Sequence, residues 1–259
     1  MVKKILCIVL WVITGVALVV LFAFGRKGYL ETPLKGIAFQ LERPEAKGFV
    51  EKDSVIAHIE DICGLERHAT IASIDMMKIQ KLLTSSPWIE SASAYIGLND
   101  TLIVTAKEHC PVLRVYNQKG QSVYVTEDGA VIPSSPIYTP RMIIASGRYD
   151  FPTGKSGSSL ADSIYATSGI SETLAIVMAL RNDPFLSGNV GQIYKNANNE
   201  YELMVNNVSA SVLLGDTCAV NHKLSRLHTL LEKYSGTETL NDYKTLDLRY
   251  KNQIVCTKK

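Results

Sequence analysis

Lysine and arginine nowhere form a run longer than a pair in this 259-residue chain, and 27 basic against 25 acidic residues leave a formal charge of +2. A nucleic-acid surface needs a concentrated basic footprint, so this composition excludes nucleic acid as an expected partner. Internal repeats of about 20–50 residues are also missing, which argues against a solenoid or a propeller.

Catalytic signatures are equally sparse. The chain has no G-x-S-x-G elbow and no H-E-x-x-H helix. Gly154-Lys155-Ser156 resembles the end of a phosphate loop, but Tyr149 stands where that loop needs its first glycine. Asp216, Cys218 and His222 would bring a thiol and an imidazole one helical turn apart. That falls short of the roughly three or four ligands a metal needs, and His228 lies on another face. Asp216 then reads as a helix N-cap. The pairs Glu60-Asp61 and Glu127-Asp128 are adjacent in sequence, so they diverge on a helix or mark a turn. His109-Cys110 directly precedes Pro111, which suits a hinge better than a nucleophile. No catalytic, cofactor-binding or metal-ligating residue is therefore expected. The five cysteines contain no C-x-x-C pair. Cys7 belongs to an apolar run, and Cys63, Cys110, Cys218 and Cys256 read as buried free thiols, although two bridges are possible in three ways.

What the chain does contain begins with Ile5 to Phe24, twenty residues without a charge. At about 1.5 Å per residue a helix of that length spans a bilayer core, and only a helix satisfies its backbone there. A cleaved signal peptide usually has a shorter apolar stretch, and Ala23-Phe24-Gly25 makes a poor cleavage site, so an uncleaved anchor is expected. Lys3 and Lys4 on one side nearly balance Arg26 and Lys27 on the other. The short N-terminus is placed in the cytoplasm because a first apolar segment commonly starts export.

Beyond Gly25–Lys35, a polar linker, Ile37–Leu41 alternates as a strand. Asp53 heads a helix to Cys63, with Gly64 as its stop, and Val55, Ile56, Ile59 and Ile62 at helical spacing. A second helix starts near Asp75, carries Met76, Ile79, Leu82 and Leu83, and is closed by Pro87. Two strands, Trp88–Leu98 and Thr101–Glu108, flank a turn at Asn99-Asp100. The order strand-helix-helix-strand-strand makes a small two-layer α+β unit. Past Pro111 strands dominate: Val112–Tyr116, Ser122–Thr126, Ala130–Ile132 and Arg141–Ala145. Gly147–Gly169, rich in Gly and Ser, reads as a long loop, and Ser171–Asn182 as a helix. Gln192–Lys195, Glu200–Val205 and Val208–Leu214 form a meander with Asn-rich turns. Asn221–Tyr234 is the cleanest amphipathic helix. Two strands close the chain, Thr245–Tyr250 and Gln253–Cys256. Leu246, Leu248 and Tyr250 point one way, Asp247 and Arg249 the other, and the last strand is expected at a sheet edge, with Lys258 and Lys259 as guards.

These features in this order resemble the FtsQ/DivIB family of bacterial cell-division proteins. Ser86-Pro87-Trp88-Ile89-Glu90 is similar to the family's Pro-Trp-Val stretch, and Glu108-His109-Cys110-Pro111-Val112 to its Glu-Arg-x-Pro-Val boundary. The segment from Tyr124 to Pro133 resembles the turn that opens its β domain. Leu246-Asp247-Leu248-Arg249-Tyr250 with Gln253-Ile254-Val255 resembles its terminal segment. Two departures stand out: Gly97-Leu98-Asn99-Asp100 replaces an Arg-x-x-Pro, and His109 replaces an arginine. The resemblance implies a cytoplasmic N-terminus (1–4), a transmembrane helix (5–24), a linker (25–36), a POTRA domain (37–109) and a β domain (110–259). It implies a non-enzymatic, single-pass type II scaffold in the inner membrane at the division septum, with its bulk outside the cytoplasm. FtsB/DivIC-like and FtsL-like proteins would bind it, and the septal peptidoglycan synthase would be reached indirectly. Strand addition at the C-terminus would use Tyr250 first, then Arg249 pairing with a partner carboxylate, with Lys251, Gln253, Ile254 and Val255 beside them. A membrane-anchored envelope enzyme and a POTRA-containing transport component are the competing readings.

Overall fold

The structure is a computed structural model that describes residues 2–43, 47–63, 70–152, 158–234 and 237–259, with side chains from residue 9 onward. Gly64, expected as a helix stop, and Gly154-Lys155-Ser156 lie outside the described residues. The architecture is α+β: an N-terminal apolar helix, a small mixed unit, and a β-rich region with helices. Two compact units emerge, residues 1–43 with 50–108, and 44–49 with 109–259.

In the first unit, α1 (Val2–Leu30) runs past the expected end of the apolar segment. Gly25 and Gly28 do not break it, and Lys27 reaches Glu31 one turn on. Its stretch Val9–Leu30 is long and apolar enough to cross a membrane. Next comes β1 (Gly36–Glu42), then α2 (Lys52–Cys63). Asp53, expected as the cap, lies inside the first turn of α2, where its charge complements the helix dipole. α3 (Met76–Ser85) is capped by Asp75, whose carboxylate accepts the Lys78 amide at 3.0 Å. β2 (Ile89–Ile96) and β3 (Thr101–Glu108) form a hairpin. Asp100 takes φ 56° at its tip. The sheet order is β1-β3-β2, with β1 parallel to β3, which gives the β-α-α-β-β arrangement. Ile59 and Ile79 on the helices pack with Leu102, Val104 and Ala106 on the central strand.

The second unit is built on one ten-stranded sheet. β4 (Pro111–Tyr116), β5 (Ser122–Thr126) and β6 (Ala130–Pro133) form an antiparallel meander, with β8 (Ser158–Ser159) outside β6. β7 (Ile143–Gly147) lies parallel to β4 on the other side, and β9 (Val190–Lys195) parallel to β7. β10 (Tyr201–Val205) and β11 (Ser211–Gly215) continue antiparallel. α6 (Val220–Lys233) then crosses over so that β12 (Tyr243–Asp247) lies parallel to β11, as a parallel pair requires. β13 (Val255–Lys258) pairs antiparallel with β12 and ends the sheet. α4 (Ile170–Arg181), α5 (Pro184–Asn189) and α6 supply Ile176, Leu180, Leu186, Leu224 and Leu227 to one core with Leu113, Ala145, Ile193, Leu203, Val212 and Leu246.

Several expectations need correction. The Gly147–Gly169 stretch is not a featureless loop. Tyr149, Phe151 and Tyr165 are buried in the core, Ser158–Ser159 joins the sheet and Ser163–Tyr165 makes a 3-10 turn. Gly147 itself ends β7 at φ 109°, against the Lys195 backbone. β7 starts at Ile143 rather than Arg141, and β11 at Ser211 rather than Val208. Helix α5 gave only a brief signal, Asp183 followed by Pro184; Asp183 caps it through the amides of Phe185 and Leu186. Asp216 is no N-cap, because α6 starts at Val220 after Ala219 at φ 50°. Its carboxylate instead holds Lys223 at 2.6 Å.

Candidate functional site

The C-terminal strands place the residues singled out from the sequence. β12 ends at Asp247, so Leu248, Arg249 and Tyr250 are not strand residues. β13 starts at Val255 rather than Gln253. Residues 248–254 therefore form the connection between the two strands, with Asn252 in the left-handed region at φ 61°.

Two backbone bonds fix which way the strand amides face. The Leu248 amide donates to Leu213 O at 2.9 Å, so Leu246 faces β11 and Thr245 and Asp247 face β13, up to the register shift between Tyr243 and Thr245. The Lys259 amide donates to Asp242 O at 3.1 Å. By the alternation of an antiparallel ladder, Val255 and Thr257 turn their amides toward β12. Cys256 and Lys258 turn theirs to the open side. Among the described residues no strand lies beyond β13 in the sheet, so those groups form an unpaired edge. The Cys256 side chain packs toward the core, while Val255, Thr257 and Lys258 are exposed.

The connection is held from both sides. From α6, Arg226 donates Nη1 to Tyr250 O at 2.8 Å and to Gln253 O at 2.7 Å, and Nη2 to Leu248 O at 2.9 Å. From the other side, Arg249 folds back onto Asp247, with Nη2 to Oδ2 at 2.7 Å and Nε to Oδ1 at 3.0 Å, and reaches Glu200 at 3.2 Å. The Arg249 hydrogen bonds hold the Asp247 carboxyl below the ordinary carboxylate range, against burial that pushes it up. Arg249, expected to offer its charge to a partner, is thus already paired within the chain. Tyr250 stands half exposed, Lys251 and Gln253 are exposed, and Ile254 packs partly against the core. Lys244, Lys251, Lys258 and Lys259 surround the edge with exposed positive charge.

The remaining sequence candidates do not converge. Cys110 and Cys218 are exposed free thiols, and His222 is an exposed helix residue. His228 binds Asp183 at 2.6 Å and so links α6 to the cap of α5. Sequence reasoning missed Lys195, which is buried, donates to Ser168 O at 3.2 Å and lies over the Tyr149 ring. Burial lowers its pKa. It also missed Arg226; no local pattern marks a helix arginine whose acceptors lie 22–27 residues further along.

A stretch of 102 residues is 32% identical to "Cell division protein FtsQ" of Cellvibrio japonicus (strain Ueda107). That stretch covers 38% of this chain and 30% of the relative's length, so the chain matches less than a third of that protein. The profile of the family described as "FtsQ/DivIB, C-terminal related" matches residues 110–257, more than half of the chain and nearly all of the ten-stranded sheet with its terminal edge. By that match, the chain belongs to the FtsQ/DivIB C-terminal related family.

Proposed function

We propose that this chain is a bitopic scaffold of the bacterial division septum that binds an FtsB/DivIC-like protein, and with it an FtsL-like protein, by strand addition to β13. Residues 5–24 anchor it in the inner membrane with the N-terminus in the cytoplasm. Residues 37–109 form a POTRA domain and residues 110–259 the binding domain, both outside the cytoplasm. Its task is assembly and regulation of septal peptidoglycan synthesis, with no chemistry of its own.

The observation that carries this reading is the open edge of β13, where Cys256 and Lys258 direct backbone donors and acceptors outward beside exposed Tyr250. An extended partner supplies the missing ladder, and side chains such as Tyr250 anchor it. Family membership over residues 110–257 supports the choice of partner. The exposed lysines around the edge favour a partner segment with acidic side chains.

The test is co-purification of the tagged full-length chain from membranes with the FtsB/DivIC-like and FtsL-like proteins of the same organism. Both are expected to be retained, and deletion of residues 255–259 is expected to release them. Undiminished retention by the deletion variant would overturn the site; absence of both proteins from the wild-type complex would overturn the function.

A further inference from the structure

We propose that Arg226 is a positioning residue: from α6 it holds the β12–β13 connection in the one conformation that displays the edge strand. The inference rests on the reading of β13 as a docking edge. Residues 248–254 make a long connection for a hairpin whose second strand has only four residues. A short two-stranded ribbon is marginal without further support. β12 has β11 behind it, but among the described residues β13 pairs with β12 alone.

Three carbonyls of the connection, those of Leu248, Tyr250 and Gln253, converge on the Arg226 guanidinium at 2.7–2.9 Å. A planar guanidinium spreads several donors over one fork, which a lysine ammonium cannot do. The anchor is rigid, because Leu224 and Leu227 on either side of Arg226 are buried in the core. Arg226 Nε is buried with no hydrogen-bond partner among the described residues. Such an orphaned donor is unusual in a folded protein and indicates that the side chain is placed for its Nη bonds. No carboxylate pairs with Arg226 among the described residues, so its charge is opposed by the convergent carbonyl dipoles. Arg226 therefore links α6 to the edge without touching it: the cation orders the connection, the connection sets the start of β13, and β13 offers the unpaired groups.

The consequence for binding is a population effect. If β13 frays, only the fraction of molecules with the strand in place binds, and the apparent dissociation constant rises by the inverse of that fraction. The full-length protein in detergent micelles is compared with Arg226→Met by amide hydrogen exchange, thermal unfolding and affinity for a peptide from the extracytoplasmic segment of the FtsB/DivIC-like protein. Expected for Arg226→Met is about tenfold faster exchange at Val255–Lys259, unchanged protection of Val190–Val205, and about tenfold weaker peptide binding. Arg226→Gln keeps two N–H donors, serves as the second variant should the methionine protein fail to fold, and is expected to fall between. Wild-type exchange at residues 255–259 in either folded variant overturns the proposal, as does full peptide affinity in a variant whose strand is frayed. Faster exchange in the variants of a wild-type protein that never binds the peptide supports Arg226 as the holder of the strand and overturns the choice of partner instead.

Discussion

Gly215 and Arg249 occupy one space: a Cβ added to Gly215 would come within 2.7 Å of Arg249 Cγ. Gly215 ends β11 at φ 76°, where a side chain is strained on its own account. The arginine stem lies over the bare glycine, and from there its guanidinium reaches Asp247 and Glu200. Gly215→Ala is expected to lower stability by about 1–3 kcal/mol in urea unfolding. It should also speed amide exchange around residues 247–250, because Arg249 must leave its carboxylates. Wild-type stability in that variant would contradict this account of the glycine.

The Asp247–Arg249 pair sets an acid limit. Arg249 holds the Asp247 carboxyl below its ordinary range, so the folded form binds the proton less readily than the unfolded chain. A depressed carboxylate contributes stability above the unfolded value of about 3.9, and the contribution is lost as pH falls through the folded value. The urea midpoint of the wild type should therefore drop more steeply below about pH 4 than that of Asp247→Asn. Parallel curves would show that the Asp247–Arg249 contact does not stabilise the fold.

Burial sorts the thiols. Cys110 and Cys218 are exposed, whereas burial of Cys63 and partial burial of Cys256 push their thiols up, away from the reactive thiolate. A charged disulfide reagent should modify Cys110 and Cys218 within minutes and reach Cys63 only on unfolding. Mass mapping that finds Cys63 modified first would contradict the packing of α2.

Elements whose information is local were legible in the sequence. Asp75 with Met76, Ile79 and Leu83 spelled out α3, and Leu224, Leu227 and Leu231 spelled out α6. Elements that depend on distant partners were not. Gly and Ser around residue 150 suggested a loop, yet Tyr149, Phe151 and Tyr165 gain enough burial to hold the segment in the core. Alternation from Leu246 to Tyr250 suggested a longer strand, yet the ladder stops at Asp247, where Arg249 turns back to pair with its carboxylate. Asp247 lies two residues from Arg249 and was a readable partner for its charge, but Glu200 lies 49 residues away, so nothing local announced the second carboxylate. The edge position of the last strand was legible, but the contacts to the connection before it, Arg226 on three of its carbonyls and Gly215 under the Arg249 stem, were not.

Tyr250 offers its ring to solvent while its carbonyl binds Arg226, so side chain and backbone have separate tasks. Tyr250→Ala removes only the ring. Binding of the FtsB/DivIC-like peptide should weaken by about tenfold or more, as for an aromatic anchor, with the melting temperature almost unchanged. A loss of melting temperature equal to that of Gly215→Ala would mean that the ring supports the fold instead.

Proline at two neighbouring positions separates the two sides of β13. Thr257 directs its amide toward β12 and Lys258 directs its amide outward, as the Lys259–Asp242 bond and the alternation of the ladder require. Proline lacks the donor and is tolerated on an edge only where that donor faces solvent. Thr257→Pro should therefore break the β12–β13 pairing, with faster amide exchange along β13 and weaker peptide binding together. Lys258→Pro should leave β13 protected and the melting temperature unaltered, because it removes no internal bond. Its effect should appear only with the partner: one outward donor is gone and the ring obstructs an added strand, so peptide affinity should fall by about tenfold, the loss of roughly one hydrogen bond. Ile254 is less suited to this test, since it lies outside β13 and packs partly against the core. Full affinity in Lys258→Pro, measured on a protein whose β13 remains protected, would show that no strand adds to this edge and that the partner binds elsewhere on the chain.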